Sequence, residues 1–246
     1  ILKKAGLDVL IAGNIGVGFA REIANRDYSY IVLELSSFQL DGIKEFKPNV
    51  AIILNITPDH LNRYENDFSK YIASKLRITM NQQKEDVLIY NRDDKQIKAN
   101  LKTKAKAIPI SINKQIAGNG AFYKNNKINI NLNNKKMTIQ ELALQGKHNI
   151  YNSMAAAIAT RILDVKNDII RQSMLDFQNI EHRLEYVLTV HGIDFINDSK
   201  ATNVNAAWYA LENMTKPVIW IVGGVDKGND YDEISEIVKS RVKAII

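Results

Sequence analysis

Short apolar runs in this 246-residue chain alternate with stretches of helical spacing, and polar residues gather just after the runs. Residues 7–12, 30–35, 50–55 and 86–90 read as strands, and 17–25 and 66–80 as helices between them. Parallel strands need a long crossover, usually a helix, so this alternation points to βαβ units and a mostly parallel sheet. Pairs of short strands follow through 110–139, with turns expected at Asn125-Asn126 and Asn133-Asn134. Helices are predicted over 149–162, whose alanines permit close packing, and over 165–176. Near 180–184 the unit changes and the pattern restarts. Strands 185–190 and 193–197 meet through His191-Gly192, followed by a helix at 203–213, a strand at 218–222, a helix at 231–240 and a strand beginning at 242. The expected fold class is α/β: a mostly parallel-sheet domain with extra short strands at 1–180, and part of a Rossmann-like α/β domain at 181–246.

Both ends read as cut. Residues 1–5 followed by Gly6 have the form of a last helical turn with its C-cap glycine, and 242–246 of a strand just beginning. The chain is therefore expected to be a piece of a longer protein. It contains no cysteine, which excludes disulfides and thiolate metal sites. No apolar run is long enough to span a bilayer, so no membrane partner is expected. The net charge of +6 is spread over a Lys/Asn-rich surface without aromatic–basic interleaving, so no nucleic-acid partner is expected either.

In open parallel sheets, ligands bind beyond the carboxyl ends of the strands. Polar clusters recur at those places. Asn14 sits among Gly13, Gly16 and Gly18; Glu34, Ser36, Ser37 and Gln39 follow the second run; Asn55, Thr57, Asp59 and His60 follow the third. Asn197, Asp198, Ser199, Lys200, Thr202 and Asn203 follow 193–196, and Gly223, Gly224, Asp226 and Lys227 follow 218–222. One residue breaks the helical pattern. With 66–80 wound at about 100° per residue, Lys75 falls in the middle of an apolar face made by Phe68, Tyr71, Ile72, Leu76, Ile78 and Thr79, while Lys70 and Arg77 fall opposite. A buried ammonium is costly unless paired, neutralised or chemically changed.

Each feature has a plainer alternative. The glycines make a tight turn, Glu34 forms a structural ion pair, His60 is a hydrogen-bonded loop histidine, and Lys75 reaches the surface along its stem. Asn149 and Asn152 cap their helix, and Arg183 pairs with Glu181 or Glu185. One chemical reading unites Glu34, His60 and Lys75. Carboxylate and imidazole are ordinary ligands for a divalent metal that also holds phosphate. A neutral lysine amine that adds CO2 becomes an anionic carbamate, and burial favours the neutral amine.

The strings AGNIGVG, ELSSFQL, LNITPDHLNRY, SKLRI, GKHNIYN, EHRLE, NDSKATN and GGVDKG, in this order and over nearly the whole chain, resemble the Mur ligase family. NDSKATN is similar to the branch that joins D-glutamate to UDP-N-acetylmuramoyl-L-alanine. Other Mur ligases and the folylpolyglutamate synthases, the nearest alternatives, carry different strings there; a basic nucleic-acid-binding module is the alternative of another class. The resemblance implies a monomeric, cytoplasmic, ATP-dependent amide-bond-forming ligase of peptidoglycan synthesis that uses ATP and Mg2+. It makes 1–180 the central, ATP-binding domain and 181–246 part of the amino-acid-binding domain. It implies that Glu34, His60 and carbamylated Lys75 hold Mg2+ and serve catalysis, and that Asn14, Ser36 and His60 touch the UDP substrate. Asn149 and Asn152 would face adenine; Arg183, Asp198 and Lys200 would hold the nucleotide; Thr202 and Lys227 would meet D-glutamate. Two departures are visible. G-x-x-x-x-G-K-[ST] does not occur, which the resemblance places upstream of Ile1, and Asn62 and Tyr64 stand where many relatives carry Asp and His.

Overall fold

The apolar runs become strands in a computed structural model, which describes residues 1–144, 146–177, 181–225 and 229–246. Two units are resolved by their internal contacts: Ile1–Ile56 with Ser69–Phe177, and Thr57–Phe68 with the described part of Gln178–Ile246.

The first unit opens with a turn closed by Gly6. The Gly6 amide donates to Lys3 O at 3.0 Å and the Leu7 amide to Leu2 O at 3.2 Å, with Gly6 at φ +78°, the bonding of a Schellman closure. Strands β1 (Val9–Gly13) and β2 (Tyr30–Glu34) run parallel around helix α1 (Phe19–Asn25), with Gly13 opposite Glu34. This pair forms a sheet of its own among the described residues. A second sheet has the order β3 (Val50–Ile53), β4 (Val87–Asn91), β5 (Lys106–Ser111), β6 (Gly120–Lys124), β7 (Lys127–Leu132) and β8 (Lys135–Ile139). Its pairings are parallel as far as β6 and antiparallel through β8. The two hairpins turn where the asparagine pairs predicted. Asn125 and Asn126 have φ of 52° and 57°, and Asn133 and Asn134 of 51° and 63°. Two successive left-handed residues make the turn whose twist suits a two-residue hairpin, and asparagine tolerates that region.

Helices α2 (Ser37–Asp41), α3 (Phe68–Leu76), α4 (Lys95–Asn100), α5 (Lys147–Ile162) and α6 (Asn167–Leu175) complete this unit, apart from Phe68 at its border. The core lies between the large sheet and α5. Ile89, Ile110 and Ile128 meet Met154, Ile158 and Ile170, all fully buried, and Ala155 and Ala157 let the helix approach closely.

In the second unit β9 (Glu185–Val190) and β10 (Ile193–Asn197) form the expected antiparallel hairpin, turning through His191 at φ 49° and Gly192 at φ 81°. Helix α7 (Val204–Glu212) is capped by Asn203, whose side-chain oxygen accepts from the Ala206 amide at 2.9 Å. Strand β11 (Val218–Trp220), helix α8 (Asp232–Arg241) and strand β12 (Val242–Ile245) make one parallel βαβ unit. Leu211 and Ile234 bury their side chains where α7 and α8 pack. No helix among the described residues is long and apolar enough to cross a membrane.

Candidate functional site

The glycine cluster after β1 is a tight turn with a geometric reason for its glycines. Gly13 has φ +110°, and a Cβ there would lie 2.3 Å from Glu34 O. The Asn14 amide donates to that same oxygen at 2.8 Å, and its side-chain Nδ2 donates to Glu34 Oε1 at 3.1 Å. Close approach of the two backbones thus sets Asn14 against Glu34 at the carboxyl ends of β1 and β2, and both side chains remain exposed. Two residues assigned to the site from the sequence are thereby brought together.

Ser36 begins α2 as its N-cap. Its Oγ accepts from the Gln39 amide at 3.3 Å, while Gln39 Oε1 accepts from the Ser36 amide at 2.8 Å, a reciprocal capping box. This one-turn helix is held by α3 and the turn after it. Ser74 Oγ donates to Ser37 O at 2.9 Å, and Arg77 donates to Leu40 O and Ile43 O, each at 2.8 Å. Winding at a fixed step puts Arg77 on the solvent side; in the structure it is half-buried against α2. The 3-10 turn at Arg77–Thr79 shifts Arg77 by only about 20° from the α-helical direction; the polar side of the wheel is covered because α2 packs against it, and Ser74 and Arg77 both reach α2 carbonyls there. Arg77 is half-buried and ties down the carboxyl end of α2.

Lys75 lies in the last turn of α3, where Tyr71, Ile72 and Ser74 are buried. It is half-buried rather than enclosed, with Nζ 5.6 Å from the centre of the Tyr71 ring. Glu34 and Lys75 belong to the first unit and His60 to the second. His60 adopts the left-handed region, φ 52°, just before a 3-10 turn at Leu61–Tyr64. Its Nε2 stands 3.7 Å from Asp59 Oδ1. That oxygen is buried and accepts no hydrogen bond, while Oδ2 accepts from Asn203 Nδ2 at 3.3 Å. A buried carboxylate oxygen without a donor, next to an imidazole, suits a cation. Asp59 and His60 therefore offer donors that suit a divalent metal, although no three His, Cys, Asp or Glu side chains among the described residues form a cluster able to hold one.

Helix α5 begins at Lys147, after its N-cap Gly146 at φ +95°. Asn149 and Asn152 stand inside its first turns, and Gly146 holds the N-cap position. They lie on successive turns, with Asn152 Nδ2 3.5 Å from Asn149 Oδ1, and Asn152 is exposed.

In the second unit the loop before β9 and the loop after β10 are hydrogen-bonded to each other. The Leu184 amide donates to Asp198 Oδ1 at 3.0 Å, and the Lys200 amide to His182 O at 3.1 Å. Arg183 and Asp198, both assigned to the nucleotide, therefore sit on adjoining loops together with Lys200. Glu185, considered as a partner for Arg183, meets His182: Oε2 accepts from the His182 amide at 2.7 Å. Thr202 is exposed and its amide donates to Lys200 O at 3.0 Å. Lys227 lies outside the described residues. His182 was missed by sequence reasoning; its place in EHRLE, three residues before Glu185, was the available signal. Two surface grooves, of about 240 Å³ beside Lys216 and Arg241 and about 490 Å³ beside β8 and α6, contain none of the assigned residues.

A family model described as the Mur ligase middle domain matches residues 14–160. The UDP-N-acetylmuramoylalanine–D-glutamate ligase of Christiangramia forsetii is 51% identical over 251 residues, which cover 100% of this chain and 56% of the relative. The ligase of the same name from Bacteroides fragilis is 46% identical, with the same coverage. The chain spans about half the length of the curated relatives it matches. Among solved structures, MurF ligase from Thermotoga maritima in complex with ADP is similar at TM-score 0.72 and 15% identity, over 100% of this chain and 65% of that one. MurF from Acinetobacter baumannii is similar at TM-score 0.68 and 16% identity, over 99% and 63%. These two likenesses speak for the fold.

Proposed function

Because the chain belongs to the Mur ligase family, we propose that the full protein it is part of joins D-glutamate to UDP-N-acetylmuramoyl-L-alanine at the cost of ATP, in peptidoglycan synthesis. The observation that carries this reading is the whole-chain match, at 51% identity, to a relative named for that reaction. NDSKATN, at the loop that adjoins Arg183, supports the choice of amino acid. In this reading 1–180 belong to a central ATP-binding domain and 181–246 to part of an amino-acid-binding domain of a cytoplasmic, monomeric enzyme.

The chemistry sets what the residues do. A carboxylate is a poor electrophile, so the alanine carboxylate of the UDP substrate first attacks the γ-phosphorus of ATP. The bond to ADP breaks and an acyl phosphate forms. The amine of D-glutamate then attacks the acyl carbon; the tetrahedral oxyanion collapses, phosphate leaves, and the amine loses its proton as the amide forms. Asn14 orients the Glu34 carboxylate through the 3.1 Å bond, and with Ser36 it meets the UDP substrate. Glu34, His60 and the carbamate of Lys75 would hold Mg2+, which when bound offsets negative charge on the phosphoryl group. Asn149 and Asn152 receive adenine. Arg183, Asp198 and Lys200 hold the rest of the nucleotide, and Thr202 and Lys227 hold the D-glutamate carboxylates.

The test is an amino-acid screen with the full-length protein, ATP, Mg2+ and UDP-N-acetylmuramoyl-L-alanine. Phosphate release that depends on D-glutamate is expected. A strong preference for another amino acid would refute the specificity and favour another member of the family.

A further inference from the structure

At the carboxyl end of the large parallel sheet lies a carboxylate that the function above does not use. Asp93 follows β4, and both of its oxygens are occupied by the protein. The Ser111 hydroxyl, at the end of β5, lies 2.8 Å from Oδ1 and 2.9 Å from Oδ2. The Ile112 and Asn113 amides donate to Oδ2 at 2.8 and 3.3 Å. The Tyr151 hydroxyl, from α5, donates to Oδ2 at 2.7 Å. Three of these four donors converge on Oδ2, and the single Ser111 proton is shared between the two oxygens, so Oδ2 is saturated and is no free base or metal ligand. Asp93 instead ties the ends of β4 and β5 to a helix 58 residues further along the chain.

Where that tie lands matters. Tyr151 is 9% exposed and stands between Asn149 and Asn152 in the first turns of α5. Successive residues step about 100° around the axis, which puts Tyr151 about 200° from Asn149 and about 100° from Asn152. A buried, hydrogen-bonded Tyr151 on the sheet side therefore sets the rotation of this end of the helix, and with it the aim of both amides.

We propose that Asp93 and Tyr151 are positioning residues for the nucleotide base, acting through Asn149 and Asn152; this rests on the reading of those asparagines as adenine contacts. The full-length variant Tyr151→Phe removes one hydroxyl and keeps the ring. Its KM for ATP should rise about five- to tenfold, the scale of one hydrogen bond. Its preference for ATP over inosine triphosphate, which lacks the 6-amino group, should fall by a similar factor. KM for D-glutamate and the UDP substrate should stay within about twofold, and the Tm within a few degrees. An unchanged base preference, or equal losses for all three substrates, overturns the proposal. Asn149→Ala and Asn152→Ala, measured in parallel, separate the two levels. If they weaken ATP binding and Tyr151→Phe does not, the positioning role fails alone. If neither asparagine variant affects ATP, the adenine reading fails and the proposal falls with it.

Discussion

Replacing Arg77 with alanine removes two hydrogen bonds that join the turn after α3 to the carboxyl end of α2. Both are 2.8 Å long and both end on backbone carbonyls, of Leu40 and Ile43. A hydrogen bond from a charged donor contributes about 1.5–3 kcal/mol net, so the pair would amount to roughly 3–6 kcal/mol if sheltered from water. Arg77 is only half-buried, and water would re-solvate part of the freed carbonyls, which lowers the expected loss to roughly 2–4 kcal/mol. For a cooperatively unfolding unit of about 150–250 residues that is a fall in Tm of about 4–16 °C. Arg77→Lys should recover part of it, because an ammonium is a single point of attachment and not a fork. Thermal unfolding of the full-length protein followed by circular dichroism gives the first number. A kinetic signature should accompany it, since α2 begins at Ser36: KM for the UDP substrate should rise more than KM for ATP. A Tm within 1 °C of the parent, with KM unchanged, would refute the claim that Arg77 holds α2 in place.

Full-length Lys75→Ala should be nearly inactive, with partial rescue by short carboxylic acids standing in for the carbamate; full activity without rescue would reject the carbamate. Gly13→Ala should lower Tm sharply and abolish turnover, because its Cβ would press to 2.3 Å from Glu34 O at φ +110°; a variant with parental Tm would show that the β1–β2 approach is looser than described. Asp194 receives hydrogen bonds from Lys216 Nζ at 2.6 Å and Thr189 Oγ1 at 2.6 Å, with Lys216 the larger influence, and both hold its carboxyl below the usual carboxylate range. A depressed carboxyl contributes stability that is present above the ordinary carboxylate pKa and is lost as pH falls through the depressed value. Lys216→Met should therefore move the Asp194 titration upward, as read by carboxyl-carbon NMR; an unmoved titration would count against the pair.

What was legible in the chain depended on how local its cause is. The β9–β10 hairpin was placed to the residue, since its alternation and its His-Gly turn lie within thirteen positions. The Asn-Asn turns were legible for the same reason. Helix α2 passed unread because one turn is too short to show a period, although Ser36 and Gln39 spell the capping box that starts it. Tyr71 and Ile72 of α3 are buried as the fixed step predicts, but Ser74 is buried as well and Lys75, at the centre of the predicted face, is only half-buried, because α2 covers the side on which Ser74 and Arg77 lie. Residues assigned to the site meet where backbone register joins strand ends, as Asn14 and Glu34 do. The Asp93–Tyr151 bond was beyond reach because it joins residues whose meeting depends on the complete sheet and the helix across it.

The assignment of Thr57–Phe68 to the second unit has a practical consequence for dissecting the protein. The chain enters that unit, leaves it and returns, so no single cut between Phe177 and Glu181 yields two self-sufficient halves. A piece ended at Phe177 would keep Asp59 and discard Asn203, its hydrogen-bond donor. The loop that carries His60 would then be the first place for a protease to enter, and separately expressed halves would report on a damaged loop before they reported on the chemistry of either unit.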